Sequence, residues 1–240
     1  MRLTVLGRHG LYPPRGGACS SYFVSLNCGT RILLDCGPGT LTRFPDGMIE
    51  ELDILVLSHL HWDHVSDVLP LRYALERMDK HIALMLPEEP SVVASLLTNS
   101  PMITPYYLHD GMRYDGGAFS MRFFAMRHPL PAYGVRIEEE GKALAYSGDT
   151  NTCENLEKLL EGGPDIALVD ACFSDEQWTQ DKPHLSARLA ARAMREGGVR
   201  IPLLAHLPPG EDEYALMRQA RQEYSPALFA VAGRTYDTDA

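Results

Sequence analysis

The chain has 240 residues, 45% of them hydrophobic and 22% charged, which gives length and apolar content for a sizeable core. Its 22 Lys and Arg stand against 32 Asp and Glu, a net charge of −10 that disfavours broad binding to long nucleic acid through phosphate neutralisation. No apolar run approaches the ~18–20 residues of a membrane-spanning helix, and the N-terminal apolar stretch is too short for a signal peptide, so a cytoplasmic protein is expected. The five cysteines, Cys19, Cys28, Cys36, Cys153 and Cys172, form no C-x-x-C pair and suggest neither a disulfide framework nor a cysteine zinc site.

In chain order, the first forty residues read as β structure. Strands are predicted over 3–6, 21–24 and 31–34, the last two separated by the turn-like Asn27-Cys28-Gly29. Asp35-Cys36-Gly37-Pro38-Gly39 then breaks the pattern, and the next strand covers 53–58. Residues 68–78 have helical spacing, with Leu71, Leu75 and Met78 on one stripe. A strand over 82–86 and a helix over 91–97 follow, and the Pro-, Tyr- and Gly-rich stretch 100–117 reads as a loop. Strands over 121–126 and 133–137 flank His128-Pro129-Leu130-Pro131. The remainder alternates: strand 143–147, helix 154–160, strand 166–170, helix 186–196 stopped by Gly197-Gly198, strand 201–205 and helix 211–223. With no repeat or linker, a single α/β domain over 1–240 is expected.

The segment Ser58-His59-Leu60-His61-Trp62-Asp63-His64 carries the chemistry. It directly follows the apolar run Ile54-Leu55-Val56-Leu57. Residues two apart on an extended chain point the same way, so His59 and His61 can reach one metal ion. A turn beyond Trp62 would let Asp63 and His64 face a second point nearby. One segment can thus begin two metal centres and complete neither. Further imidazoles and a carboxylate stand where apolar runs meet turns: His128, Asp149 and His206. Such N and O donors suit Zn²⁺, with Mn²⁺ also compatible, and structural zinc sites favour cysteine instead. A catalytic site is the better reading. His9, His81 and His109 lack this context and read as surface or loop histidines.

This constellation resembles the metallo-β-lactamase superfamily over nearly the whole chain, including Asp35-Cys36-Gly37 ahead of the histidine segment. The resemblance implies a four-layer αββα sandwich holding two divalent metal ions per chain at one edge. It implies His59, His61 and His128 as ligands of one ion, and Asp63, His64 and His206 as ligands of the other, with Asp149 bridging. It also implies a possible homodimer, since family members are often dimeric.

Ser147-Gly148-Asp149-Thr150, Val169-Asp170-Ala171-Cys172-Phe173 and His184-Leu185-Ser186-Ala187 are similar to ribonuclease Z and its small phosphodiesterase relatives. There a carboxylate orients a histidine lying just before a helix, and Asp170 and His184 match those positions, with Asp where the family usually has Glu. A histidine held by a carboxylate has a fixed tautomer and a raised pKa, which suits it to protonate an expelled alkoxide. Asp170 and His184 are therefore candidate catalytic residues, together with Asp63, which is counted among the ligands as well. The tRNA-processing members carry a long arm; in bacterial forms it lies between the ligands matching His128 and Asp149. Here those two stand 21 positions apart, and two expected strands fill the gap. The expectation is an armless metal-dependent phosphodiesterase acting on small phosphodiesters, such as cyclic nucleotides or short RNA. Lactone or thioester hydrolysis on the same metal pair is the alternative, and it would not require the Asp170–His184 pair.

Overall fold

In the computed structural model, which describes residues 1–45 and 47–239, fourteen strands build two seven-stranded mixed sheets. The first sheet contains β1 (Arg2–Gly7), β2 (Ser21–Ser25), β3 (Arg31–Leu34), β4 (Ile54–Val56), β5 (Ile82–Pro87) and β6 (Ile103–Leu108), with β14 (Thr235–Asp237) beside β1. The second contains β7 (Arg113–Asp115), β8 (Phe119–Ala125), β9 (Tyr133–Glu139), β10 (Lys142–Tyr146), β11 (Ile166–Asp170), β12 (Ile201–Ala205) and β13 (Leu228–Phe229) in spatial sequence.

Alternation along each strand decides the layering. In β3, Ile32 and Leu34 face the space between the sheets, while Leu33 faces outward; in β4, Ile54 and Val56 point in and Leu55 points out. The inward set meets Phe123, Val135, Ile137, Leu144 and Leu168 of the second sheet. The outward set is covered by α1 (Met48–Glu51), α3 (Val68–Met78) and α4 (Val92–Thr98), through Leu71, Leu75 and Leu97. On the far side, Ala145, Val169 and Leu204 are covered by α5 (Glu154–Leu160), α6 (Ala187–Gly197) and α7 (Glu213–Glu223). Each fully buried Leu or Phe in these layers contributes about 1.5–3 kcal/mol relative to exposure. The result is a four-layer αββα sandwich.

Two helix starts and one stop show how single residues set helix limits. Ser91 caps α4 and Ser186 caps α6, each side chain accepting from a backbone amide in the first turn. Gly198 ends α6 in the left-handed conformation with φ +76°.

The stretch 100–117 is corrected: it holds β6 and β7 rather than a loop. Both are the outermost strands of their sheets, where a proline such as Pro105 leaves few ladder bonds unmade. The gap between His128 and Asp149 is filled by the β9–β10 hairpin, closed by Glu140 and Gly141 with φ +52° and +76°. Among the described residues, no helix is long and apolar enough to cross a membrane.

Candidate metal centre

Parallel strands place the site. β3, β4, β10, β11 and β12 end at the same rim of the sandwich, and the chemistry-bearing residues lie on or just beyond those ends. Asp35 follows β3, His59 and His61 follow β4, Asp149 follows β10, Asp170 closes β11 and His206 follows β12. The predicted turn after Trp62 is the short helix α2 (Trp62–Val65), with His61 at its N-cap. Asp35 and His206 both occupy left-handed backbone, with φ +56° and +57°. Such strain at non-glycine residues persists only where the surroundings enforce it, and here it turns both side chains into the rim.

The seven candidate ligands form two groups. His59, His61, His128 and Asp149 offer donor atoms all within 4.8 Å of one another, and so do Asp63, His64 and His206. Asp149 joins them: its Oδ2 lies 3.5 Å from His59 Nε2 and 3.3 Å from His64 Nε2, and its Oδ1 lies 3.0 Å from His206 Nδ1. His59, His64, His206 and Asp149 are buried, and His61 and His128 are half-buried. Four of their polar atoms are buried without a hydrogen-bond partner: His64 Nε2, His128 Nε2, His206 Nε2 and Asp149 Oδ1. Orphaned buried polar atoms are costly in a folded protein. Four of them converging from separate elements fit a bound cation.

Protonation follows burial and charge. Burial holds His59 well below its ordinary pKa, against the pull of Asp149, with repulsion from His64 and His128 adding to the depression. Burial likewise lowers His61 and His206, and brings His128 to about 4. The depressed values favour the neutral form of these four imidazoles, whose lone pairs can coordinate. Burial opposes ionisation of Asp149, yet His206, His64 and His59 hold it well below the carboxylate range. For His64, burial is overcome by Asp149 and Asp35, which raise it well above its ordinary value. Its Nδ1 lies 2.7 Å from Asp35 Oδ2, so the proton there donates to Asp35 and Nε2 faces Asp149, where a cation would take the place of a second proton.

Asp35 is the residue the sequence did not assign. Its Oδ2 accepts from Ser58 Oγ at 2.8 Å, from His64 Nδ1 and from Tyr146 Oη at 2.5 Å, while Oδ1 accepts from the Ser58 amide at 2.7 Å. One carboxylate thus ties both sheets to a candidate ligand. The available signal was a buried acid ending an apolar strand directly before Cys36-Gly37.

The second imidazole–carboxylate pair joins His184 to Asp170. His184 Nδ1 donates to Asp170 Oδ2 at 2.8 Å and lies 3.8 Å from Asp149 Oδ2. Asp for Glu still closes the pair, because Asp170 is the last residue of β11 and the Thr150 and Cys172 amides hold its carboxylate. Burial lowers the His184 pKa, but the Asp170 charge and hydrogen bond, with Asp149, raise it to about 9. A cation beside Asp149 would remove that carboxylate's share of the rise. Cys172 also lies within ligand range of His184 and His206, although burial pushes its thiol up. Of the other histidines, His81 and His109 are exposed, and His9 is half-buried at the rim with Nδ1 3.2 Å from the Leu207 carbonyl.

The segment His9-Gly10-Leu11 closes the rim. The Leu11 amide donates to Asp63 Oδ2 at 2.7 Å. A Cβ at Gly10 would stand 2.3 Å from His206 Nε2, so only glycine lets the backbone pass this close.

The family described as "Beta-lactamase superfamily domain" matches residues 30–207, and the chain belongs to it. The chain is 26% identical to the probable metallo-hydrolase YhfI of Bacillus subtilis over 231 residues, covering 87% of each protein. The crystal structure of YhfI superposes with a TM-score of 0.91 at 24% identity, covering 98% of both chains. Ribonuclease Z of Methanopyrus kandleri is 25% identical, with 95% of this chain and 94% of that protein covered. The crystal structure of the short form of human tRNase Z shares the fold, with a TM-score of 0.79 at 18% identity and 99% of both chains covered.

Proposed function

We propose that this metal-dependent hydrolase is a phosphodiesterase of small phosphodiesters, cyclic nucleotides or short RNA, working with two divalent cations, Zn²⁺ foremost and Mn²⁺ as the other candidate. Membership of the superfamily and the resemblance to a metallo-hydrolase and to ribonuclease Z support hydrolysis and phosphoester chemistry. The observation that carries the finer reading is the buried His184–Asp170 pair beside the ligand groups.

When bound, divalent cations supply Lewis acidity and lower the pKa of a coordinated water. The residues to hold them are His59, His61 and His128 on one side, Asp63, His64 and His206 on the other, and Asp149 between. Asp35 fixes the His64 tautomer through Nδ1, leaving Nε2 to coordinate. Asp170 holds the Nδ1–H of His184 in the same way, and its charge and hydrogen bond raise the His184 pKa to about 9, which favours the imidazolium whose Nε2 carries the transferable proton. His184 then protonates the leaving oxygen, which matters most for a basic sugar alkoxide. Asp63 keeps its position through the Leu11 amide.

Small substrates are favoured because the hairpin of β9 and β10 occupies the interval where an arm for tRNA would arise, and because the chain carries a net charge of −10. The test is metal analysis of the pure protein, then a panel of bis(p-nitrophenyl) phosphate, cyclic nucleotides, short RNA, precursor tRNA and a lactone. We expect close to two transition-metal ions per chain and the highest kcat/KM on a small phosphodiester. Preferential turnover of the lactone, or efficient 3′ processing of precursor tRNA, would overturn the reading.

A further inference from the structure

Among the exposed apolar side chains, Trp62, Leu11 and Tyr12 are set apart by their position. They are 60%, 57% and 57% exposed, and all three belong to segments that touch the candidate metal centre. Trp62 stands between His61 and Asp63 as the first residue of α2. Leu11 donates its amide to the carboxylate of Asp63, so the 10–12 and 61–63 segments are in direct contact. Tyr73, Val92 and Tyr214 are more exposed still, but lie on α3, α4 and α7, the outer helical layers.

The rim turn is built to hold this display. The Gly10 amide donates to the Leu207 carbonyl at 3.1 Å, and the Tyr12 amide donates to the Gly10 carbonyl at 2.8 Å. Leu11 between them sits at φ +65°, a conformation that costs a branched side chain free energy. Three hydrogen bonds, counting the one to Asp63, therefore maintain a strained turn whose outcome is two solvent-facing apolar side chains. Trp62 is likewise left in water although α2 buries Asp63, His64 and Val65 behind it. Apolar surface held open beside a polar centre marks a binding surface.

We propose that Trp62 is a stacking platform for the nucleobase of the substrate, with Tyr12 and Leu11 of the adjoining 10–12 segment supplying further apolar contact. The preferred substrates are then nucleotide diesters rather than ring-free diesters. This narrows the substrate class of the phosphodiesterase reading and rests on it. An indole presents a flat face that accepts purine and pyrimidine alike, so the platform selects for a base without demanding one base.

The test uses the metal-loaded protein and two probes, 5′-AMP and ribose 5-phosphate. The chain has two tryptophans; Trp178 is half-buried with its Nε1 tied to Asn151 Oδ1 at 3.1 Å, so Trp62 is the more exposed emitter. We expect 5′-AMP to quench the intrinsic fluorescence of the wild type and the quench to vanish in Trp62→Phe. By calorimetry, Trp62→Ala should bind 5′-AMP about 5- to 150-fold more weakly, and Trp62→Tyr should recover most of the affinity. Ribose 5-phosphate should bind wild type and Trp62→Ala alike. Tyr12→Ala should show a smaller loss, and it stands in for Trp62→Ala if that variant fails to retain metal. Unchanged 5′-AMP affinity in Trp62→Ala or, in its stead, Tyr12→Ala would overturn the platform. So would equal wild-type affinity for the two probes. A protein that binds 5′-AMP through Trp62 but hydrolyses no phosphodiester loses the phosphodiesterase reading and keeps the platform. One that hydrolyses nucleotide diesters with an unchanged KM in Trp62→Ala keeps that reading and loses the platform.

Discussion

Two imidazole–carboxylate pairs sit side by side at the rim, and they differ in what surrounds them. His64 and Asp35 are 2.7 Å apart, and His184 and Asp170 are 2.8 Å apart, each through Nδ1. His64 is fully buried, its Nε2 has no hydrogen-bond partner, and Asp35 also holds Ser58 and Tyr146. The His184 side chain keeps 8% of its surface open and is carried by a segment between β11 and α6. That segment is anchored by Asn151, whose Nδ2 donates to the carbonyls of Thr179, Gln180 and Lys182. On the proposed function the same pairing serves two purposes. The closed pair would aim a lone pair inward to coordinate, whereas the open pair would keep a proton within reach of a substrate. Surroundings, more than the pair itself, assign the role.

The largest expected effect removes what both pairs face. Asp149→Ala should lose most bound metal and activity together, read by metal analysis and turnover, because one carboxylate serves both ligand groups. Full activity in that variant would end the two-ion assignment.

The open pair is broken next. His184→Ala should retain its metals and lose activity on a nucleotide substrate by about 10²–10⁴-fold, the range of general acid catalysis. The loss should be much smaller on a p-nitrophenyl ester, whose leaving group hardly needs the proton. Equal losses on both substrates would assign His184 to binding or site structure. Asp170→Asn should reproduce the pattern more weakly.

The closed pair should respond in affinity instead. Asp35→Asn is expected to weaken metal retention by about 10- to 100-fold in a chelator competition, the usual effect of altering a partner of a coordinating histidine. Unchanged retention, with activity lost only on poor leaving groups, would erase the distinction between the pairs.

A third buried carboxylate sharpens the comparison by doing neither job. Glu139 accepts from the Asn27 and Cys28 amides at 2.9 and 2.8 Å, far along the β9–β10 hairpin from the histidines. Burial alone would raise its pKa, but these amide hydrogen bonds hold it below the ordinary value. Its stabilisation is thus complete above the unfolded-state pKa and is lost as pH falls through the depressed folded value. Glu139→Gln should cost about 1–2 kcal/mol at neutral pH with metal content unchanged, and the difference from wild type should shrink in acid. Denaturant melts at both pH values read this directly.

Much of this was legible because the decisive residues are local. His59 to His64 announce themselves within six positions, and the helix over Val68–Met78 follows from its apolar period alone. His128, Asp149 and His206 could be found because apolar strands end just before them. Asp35 was harder, since its role depends on Tyr146, 111 positions away, and no local pattern reports that partner. β6 and β7 were hidden by Pro105, tolerable because β6 is a sheet edge, and by Gly111 in the turn between the two strands. β13 and β14, of two and three residues, are strands only by virtue of distant partners.

The donor atoms at the rim come from both sheets: His59, His61, Asp63 and His64 from the first, and His128, Asp149 and His206 from the second. An ion held there is a cross-link across the open seam of the sandwich. Its binding free energy is then shared with folding, and stability grows with the logarithm of free cation concentration above the dissociation constant. A chain made where that cation is scarce would have a seam held by protein contacts alone, among them Tyr146 Oη to Asp35 and the Tyr133 amide to the Ser58 carbonyl, leaving the unloaded protein the one more readily opened and degraded. Occupancy of the rim becomes a criterion for survival as well as for activity.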